Sequence, residues 1–113
     1  QKIGQRYSSG LSNLSGIETP TVGVNNTSVF AQYTILSENR DDIQSKLNKN
    51  NIPSVSYYSV PLHLQPVFEN LGHNEGDFPV AEKVANQCSS LPMSPYLSEE
   101  DQTKVIDTFL DKF

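Results

Sequence analysis

Apolar positions along this chain come in short bursts separated by proline, glycine and asparagine, and each burst has its own period. Ile3, Tyr7, Leu11 and Leu14 fall four, four and three residues apart, which lines one face of a helix and predicts one over residues 2–14. Gly4 and Gly10 lie inside it and weaken it by about 1 kcal/mol each relative to alanine. Such a helix, with few partners in its own chain, is expected to need support from outside. Gly16 to Asn26 reads as a connector broken by Pro20, Gly23 and Asn25-Asn26. From Ser28 to Leu36 the period changes to two. Val29, Ala31, Tyr33 and Ile35 share one face and Phe30, Gln32, Thr34 and Leu36 the other; apolar groups on both predict a strand covered on both sides.

Asn39 is placed as an N-cap, with Asp41 and Asp42 in the positive first turn and Ile43 and Leu47 facing inward, so a helix should run to about Asn50. Asn50-Asn51 tolerates left-handed backbone and would end it. Ile52 to Tyr58 reads as a second strand, entered through Pro53. Pro61 to Asp77 is irregular, with one short turn expected around Pro66 to Leu71. Pro79 suits the first turn of a helix through Gln87 or Cys88, whose apolar positions are Val80, Val84, Ala81, Ala85 and Cys88. Ser90 to Met93 should be extended. Ser98, with Asp101 three residues on, forms a capping box for a last helix with Val105, Ile106, Phe109, Leu110 and Phe113 as its buried stripe. The expected fold is a single small α/β domain of the α+β kind, a mixed or antiparallel sheet of about two to four short strands covered by helices.

Composition narrows the function. The chain has 113 residues, enough for one domain. Apolar residues make up 35%, or about 40% with the six glycines, below the usual 45–50% or so. So thin a core suits a layer that leans on another domain, and equally a small polar-surfaced monomer. Eight basic residues against thirteen acidic give a net charge of −5 without a basic run, which argues against nucleic-acid binding. No stretch approaches the roughly 18 apolar residues of a membrane span, and no signal peptide is legible. The lone Cys88 fits a reducing compartment, so a cytoplasmic location is expected. The start at Gln1 is read as the start of a piece cut from a longer product.

Three runs carry the strongest signal: Ser28-Val29-Phe30-Ala31-Gln32-Tyr33-Thr34-Ile35, then Tyr57-Tyr58-Ser59-Val60-Pro61-Leu62-His63-Leu64-Gln65-Pro66-Val67-Phe68, then Ser90-Leu91-Pro92-Met93-Ser94-Pro95-Tyr96-Leu97. In order and spacing they resemble the C-terminal small domain of the DegT/StrS-type sugar-nucleotide aminotransferases, over nearly the whole chain. The resemblance implies a fold-type I enzyme using pyridoxal phosphate (PLP) as parent, with residues 1–15 a helix entering from a missing large domain and residues 27–113 the small α/β domain. It implies amino transfer from glutamate to a keto group on a nucleotide-linked sugar, in a homodimer with sites at subunit interfaces. The Phe-Ala-Gln-Tyr-Thr and Ser-Leu-Pro-Met-x-Pro-Tyr-Leu runs look most like the branch aminating a UDP-linked 3-keto-hexuronic acid, in surface polysaccharide or lipopolysaccharide biosynthesis.

The resemblance also points to substrate contacts at Tyr57, Tyr58, His63 and Gln65. Tyr57 stands where relatives in that branch usually carry histidine, and Tyr58 where they carry tyrosine. Two adjacent tyrosines at a strand end point to opposite faces, so at most one belongs in the core. His63 and Gln65 could each bond a sugar, or could simply tie down their loop. No lysine among Lys2, Lys46, Lys49, Lys83, Lys104 and Lys112 sits in a setting suited to a Schiff base, and the glycines never cluster into a phosphate cradle. No cofactor, no metal and no activity are therefore expected of this chain alone. His63, Glu69, His73, Glu75 and Asp77 lie close in sequence but without metal-ligand spacing. Arg40 at a helix start opposes the dipole and calls for a carboxylate, with Glu38 and Asp41 beside it. A free-standing sugar- or peptide-binding module and a structural or dimerising piece remain open as rival readings.

Overall fold

The computed structural model describes residues 1–110. Its elements are α1 (Lys2–Leu11), β1 (Tyr33–Leu36), α2 (Arg40–Lys49), two 3₁₀ turns (Leu62–Leu64 and Pro66–Leu71), α3 (Pro79–Gln87), β2 (Cys88–Leu91) and α4 (Glu99–Leu110). β1 and β2 pair antiparallel, with Tyr33 opposite Leu91 and Leu36 opposite Cys88. Single bridges widen this ribbon on each side, Glu18 against Leu36 and Val55 against Ser90.

The sheet is shorter than the alternation predicts, for local reasons. Phe30 takes a left-handed backbone (φ 48°), and its N–H turns back to Ser28 Oγ at 3.1 Å, so the chain enters β1 only at Tyr33. Val29 is 78% exposed, and in the first half of the predicted strand only the Phe30 ring packs against the core. The Ile52–Tyr58 strand is reduced to its one bridge. Asn51 is left-handed (φ 57°), Pro53 has no N–H to give, and Ser56 reaches Cys88 O (2.6 Å) through its hydroxyl instead of its backbone.

Helix α1 finds core partners within the chain. Tyr7 and Leu11 are fully buried in one core with Tyr33, Ile35, Leu47 and Phe109, each such side chain contributing about 1.5–3 kcal/mol by burial. Its two glycines are points of close approach: a Cβ on Gly4 would stand 2.4 Å from the Phe30 ring, and one on Gly10 2.9 Å from Ile106 of α4. Gln102 of α4, 2% exposed, donates to Ile3 O at 2.6 Å and locks the seam. The helix stops at Leu11, three residues short of the predicted end.

Ile43 and Leu47 of α2 are buried as their spacing predicts. Asn39 occupies the N-cap of α2, but its side chain makes no capping bond; Ser37 Oγ takes the Asn39 N–H at 3.2 Å. The left-handed Asn51 sends the Ile52 N–H back to Leu47 O at 2.9 Å and closes the helix. In α4, Val105 and Phe109 face the core, while Leu110 is 53% exposed and leaves the predicted stripe. Phe113 lies outside the described residues. In α3 only Ala85 is buried; Val80 (76% exposed) and Val84 face outward.

Candidate functional site

The first and third sequence runs meet in space, and the second joins them at its first residue, Tyr57. Pairing of β1 with β2, and the bridge from Val55 to Ser90, bring residues 31–32, 53–57 and 90–93 around one cleft of about 230 Å³. Gln32, Ser54, Tyr57, Ser90, Pro92 and Met93 line it. Behind it Tyr7 donates its hydroxyl to Pro92 O (2.9 Å), and the Tyr33 and Ser8 hydroxyls share a 2.8 Å bond. Burial, with the neighbouring Tyr33, pushes the Tyr7 phenol well above its ordinary pKa; burial also raises Tyr33, against the opposing hydrogen bonds of Ser8 and Thr19. Both phenols stay neutral and serve as donors or acceptors, not as bases.

Tyr57 and Tyr58 occupy a turn, and neither enters the core: they are 56% and 77% exposed. Tyr57 faces the cleft. Tyr58 lines a second, mostly apolar groove of about 940 Å³, between the 58–65 loop and the outer face of α3, where Leu62, Phe78, Val80 and Val84 also stand.

His63 lies within the 3₁₀ turn with its side chain 7% exposed, and Nε2 meets Glu82 Oε1 at 2.9 Å. The Glu82 carboxylate also takes the N–H groups of Gly76 (2.9 and 3.0 Å) and Phe78 (3.2 Å). Desolvation would raise its pKa, but those N–H bonds and His63 together outweigh it and hold Glu82 below its ordinary value. An ionised carboxylate only accepts, so the His63 proton is assigned to Nε2. Gln65 Nε2 turns inward to Val60 O (3.3 Å). Sequence reasoning singled out His63 and Gln65 but missed Glu82. Its signal was an acid in the first turn of α3, which reads equally well as a dipole partner.

Arg40 pairs with the Asp41 carboxylate, one of its two sequence-predicted neighbours, and donates to Ser56 Oγ at 2.8 Å. Gln44 adds bonds to Ser56 Oγ (3.0 Å) and Ser89 Oγ (3.1 Å), so α2 is stitched to the back of the cleft. Among the described residues no three metal-capable side chains cluster; His73 Nδ1 lies 3.6 Å from Asp77 Oδ2. Among the described residues no lysine lines either concavity, and Ser98 and three acids fill the first turn of α4. These residues do not fit a PLP site, which needs a Schiff-base lysine and a phosphate cradle.

A short antiparallel ribbon backed by helices, with motif residues lining two concavities, is a domain of the kind found in PLP-dependent sugar aminotransferases. The chain belongs to the DegT/DnrJ/EryC1/StrS aminotransferase family, whose profile matches residues 1–110. It is similar to a "pleiotropic regulatory protein" of Geobacillus stearothermophilus, 51% identical over 70% of this chain and 21% of that protein. It is also similar to the UDP-2-acetamido-2-deoxy-3-oxo-D-glucuronate aminotransferase of Pseudomonas aeruginosa, 40% identical over 86% of this chain and 26% of that one. Its fold superposes on S. venezuelae DesV, solved with a ketimine intermediate, at a TM-score of 0.91 and 34% identity, covering 95% of this chain and 29% of DesV. The chain thus spans between about a fifth and a third of the length of these relatives.

Proposed function

We propose that this chain is the C-terminal small domain of a PLP-dependent enzyme that moves an amino group from glutamate to the keto group of a nucleotide-linked sugar, a UDP-2-acetamido-3-keto-hexuronic acid. The meeting of the first and third motif runs, with Tyr57 at the start of the second, around one cleft carries this reading, and the 40% identity to the P. aeruginosa enzyme supports the sugar. Relatives solved in PLP and PMP forms support PLP in the parent. The Schiff-base lysine and the phosphate cradle belong to a large domain, and residues 1–15 lead in from it. The chain alone is inactive. The parent is a cytoplasmic homodimer serving surface polysaccharide or lipopolysaccharide synthesis.

Within this scheme the loop of Tyr57, Tyr58, His63 and Gln65 binds the sugar. Tyr58, the most exposed of the four and the match to the family's aromatic position, makes the contact, and Tyr57 bounds the cleft beside it. His63 and Gln65 support the loop from within. In the full-length enzyme, Tyr58→Phe should lower catalytic efficiency toward the keto-sugar by roughly 2- to 13-fold, since a hydrogen bond to an uncharged group is worth about 0.5–1.5 kcal/mol. The glutamate half-reaction should change far less. Equal losses in both half-reactions, or none in either, would remove Tyr58 from the substrate site.

A further inference from the structure

The loop after Tyr58 is built inside out. Its imidazole side chain, His63, is only 7% exposed, while Leu62 as a whole residue stands 66% exposed and Leu64 37%. An exposed leucine is ordinary, but a nearly buried imidazole needs a hydrogen-bond partner. That partner is Glu82. Its two oxygens collect the His63 Nε2–H and the N–H groups of Gly76 and Phe78 within 3.2 Å. Those donors belong to separate stretches, the 62–64 turn and the 72–78 loop, and Glu82 itself sits on α3. The Phe78 ring packs on His63 at 4.8 Å, and the His73 ring packs edge-on against Phe78 at 5.0 Å. One carboxylate therefore joins three segments that share no strand pairing.

We infer that Glu82 is a positioning residue for the substrate loop: by clasping His63 to α3 it fixes the loop that presents Tyr58 to the sugar. This rests on the reading of Tyr58 given above. Gln65, bonded to Val60 O, braces the far side of the same turn. Without the clasp, burying Leu62 and Leu64 becomes the better use of the loop, and Tyr58 loses its fixed base.

The test uses the full-length enzyme with Glu82→Ala and the isosteric Glu82→Gln. Half-reaction kinetics are read alongside hydrogen exchange of residues 72–78. Loss of charge-assisted bonds should raise the KM for the nucleotide sugar about tenfold in Glu82→Ala and about threefold in Glu82→Gln. The glutamate half-reaction should stay within about twofold, and exchange at the 72–78 amides should quicken about tenfold or more. His63→Gln, which keeps a donor, should fall between wild type and Glu82→Ala. Unchanged exchange in both Glu82 variants would overturn the clasp itself. Quickened exchange with an unaltered sugar KM, or equal losses in both half-reactions, would overturn the positioning role. A wild-type parent inert toward every nucleotide sugar would overturn the functional reading, and with it this one, while the exchange data still report on the clasp.

Discussion

Replacing Ser98 by alanine tests how far the α4 start controls this fold. Ser98 Oγ takes the Asp101 N–H at 3.0 Å and gives its own proton to Asp101 Oδ2 at 2.6 Å. The backbone bond from Gln102 N–H to Ser98 O (3.0 Å) does not depend on the side chain and should survive. Both lost bonds are exposed, so water can re-solvate the freed N–H, and the cost should sit near 1 kcal/mol within the usual range of about 0.5–2. The consequence reaches inward. Gln102, one turn along, anchors Ile3 O, and Val105 and Phe109 follow it into the core, so a frayed first turn loosens the seam with α1. In urea, with a slope of about 1–3 kcal/mol/M, a loss of 1 kcal/mol moves the midpoint down by roughly 0.3–1 M. Ser98→Gly should lose only a few tenths of a kcal/mol relative to wild type, because glycine is a tolerated cap. An alanine variant within about 0.3 kcal/mol of wild type, or no difference between alanine and glycine, would refute the cap.

Two further expectations probe the core. Tyr7→Phe removes the hydroxyl that holds Pro92 O and should destabilise the chain by about 1 kcal/mol, read in the same urea experiment; no change would mean that water replaces the bond. Gly4→Ala gains about 1 kcal/mol of helix propensity but drives a methyl into the Phe30 ring, at an overpacking cost of about 1–3 kcal/mol. It should be neutral to destabilising in wild type yet stabilising in a Phe30→Ala background, and the absence of that sign change in a double-mutant cycle would refute the close approach.

Periodicity located α1, α2 and α4 because each has a core to face. Ile43 and Leu47 of α2, Val105 and Phe109 of α4, and Tyr7 and Leu11 of α1 sit where their spacing puts them. It misjudged the strands because alternation records which residues could share a face, whereas pairing depends on backbone that Phe30, Asn51 and Pro53 withhold. The stripe on α3 failed differently: Val80 and Val84 are apolar but exposed, and a pattern cannot say whether the surface it matches is inside the same chain. The motif runs drew attention to Tyr57 and Tyr58, each of which lines a concavity. The Glu82 clasp joins residues four to nineteen positions apart, two of them through backbone N–H groups, which leave no residue-type signature.

The flanking bridges bear on how this chain behaves among copies of itself. A two-stranded ribbon invites further strands to its open sides, the usual start of aggregation. Here Leu36 N–H and C=O are taken by Glu18, Ser90 N–H and C=O by Val55, and Cys88 O by the Ser56 hydroxyl. Pro20 and Pro53 stand beside those bridges and cannot donate to a newcomer. The segments that fall short of being strands are thus gatekeepers, closing at these positions the hydrogen-bonding seats through which a neighbouring molecule would extend the sheet.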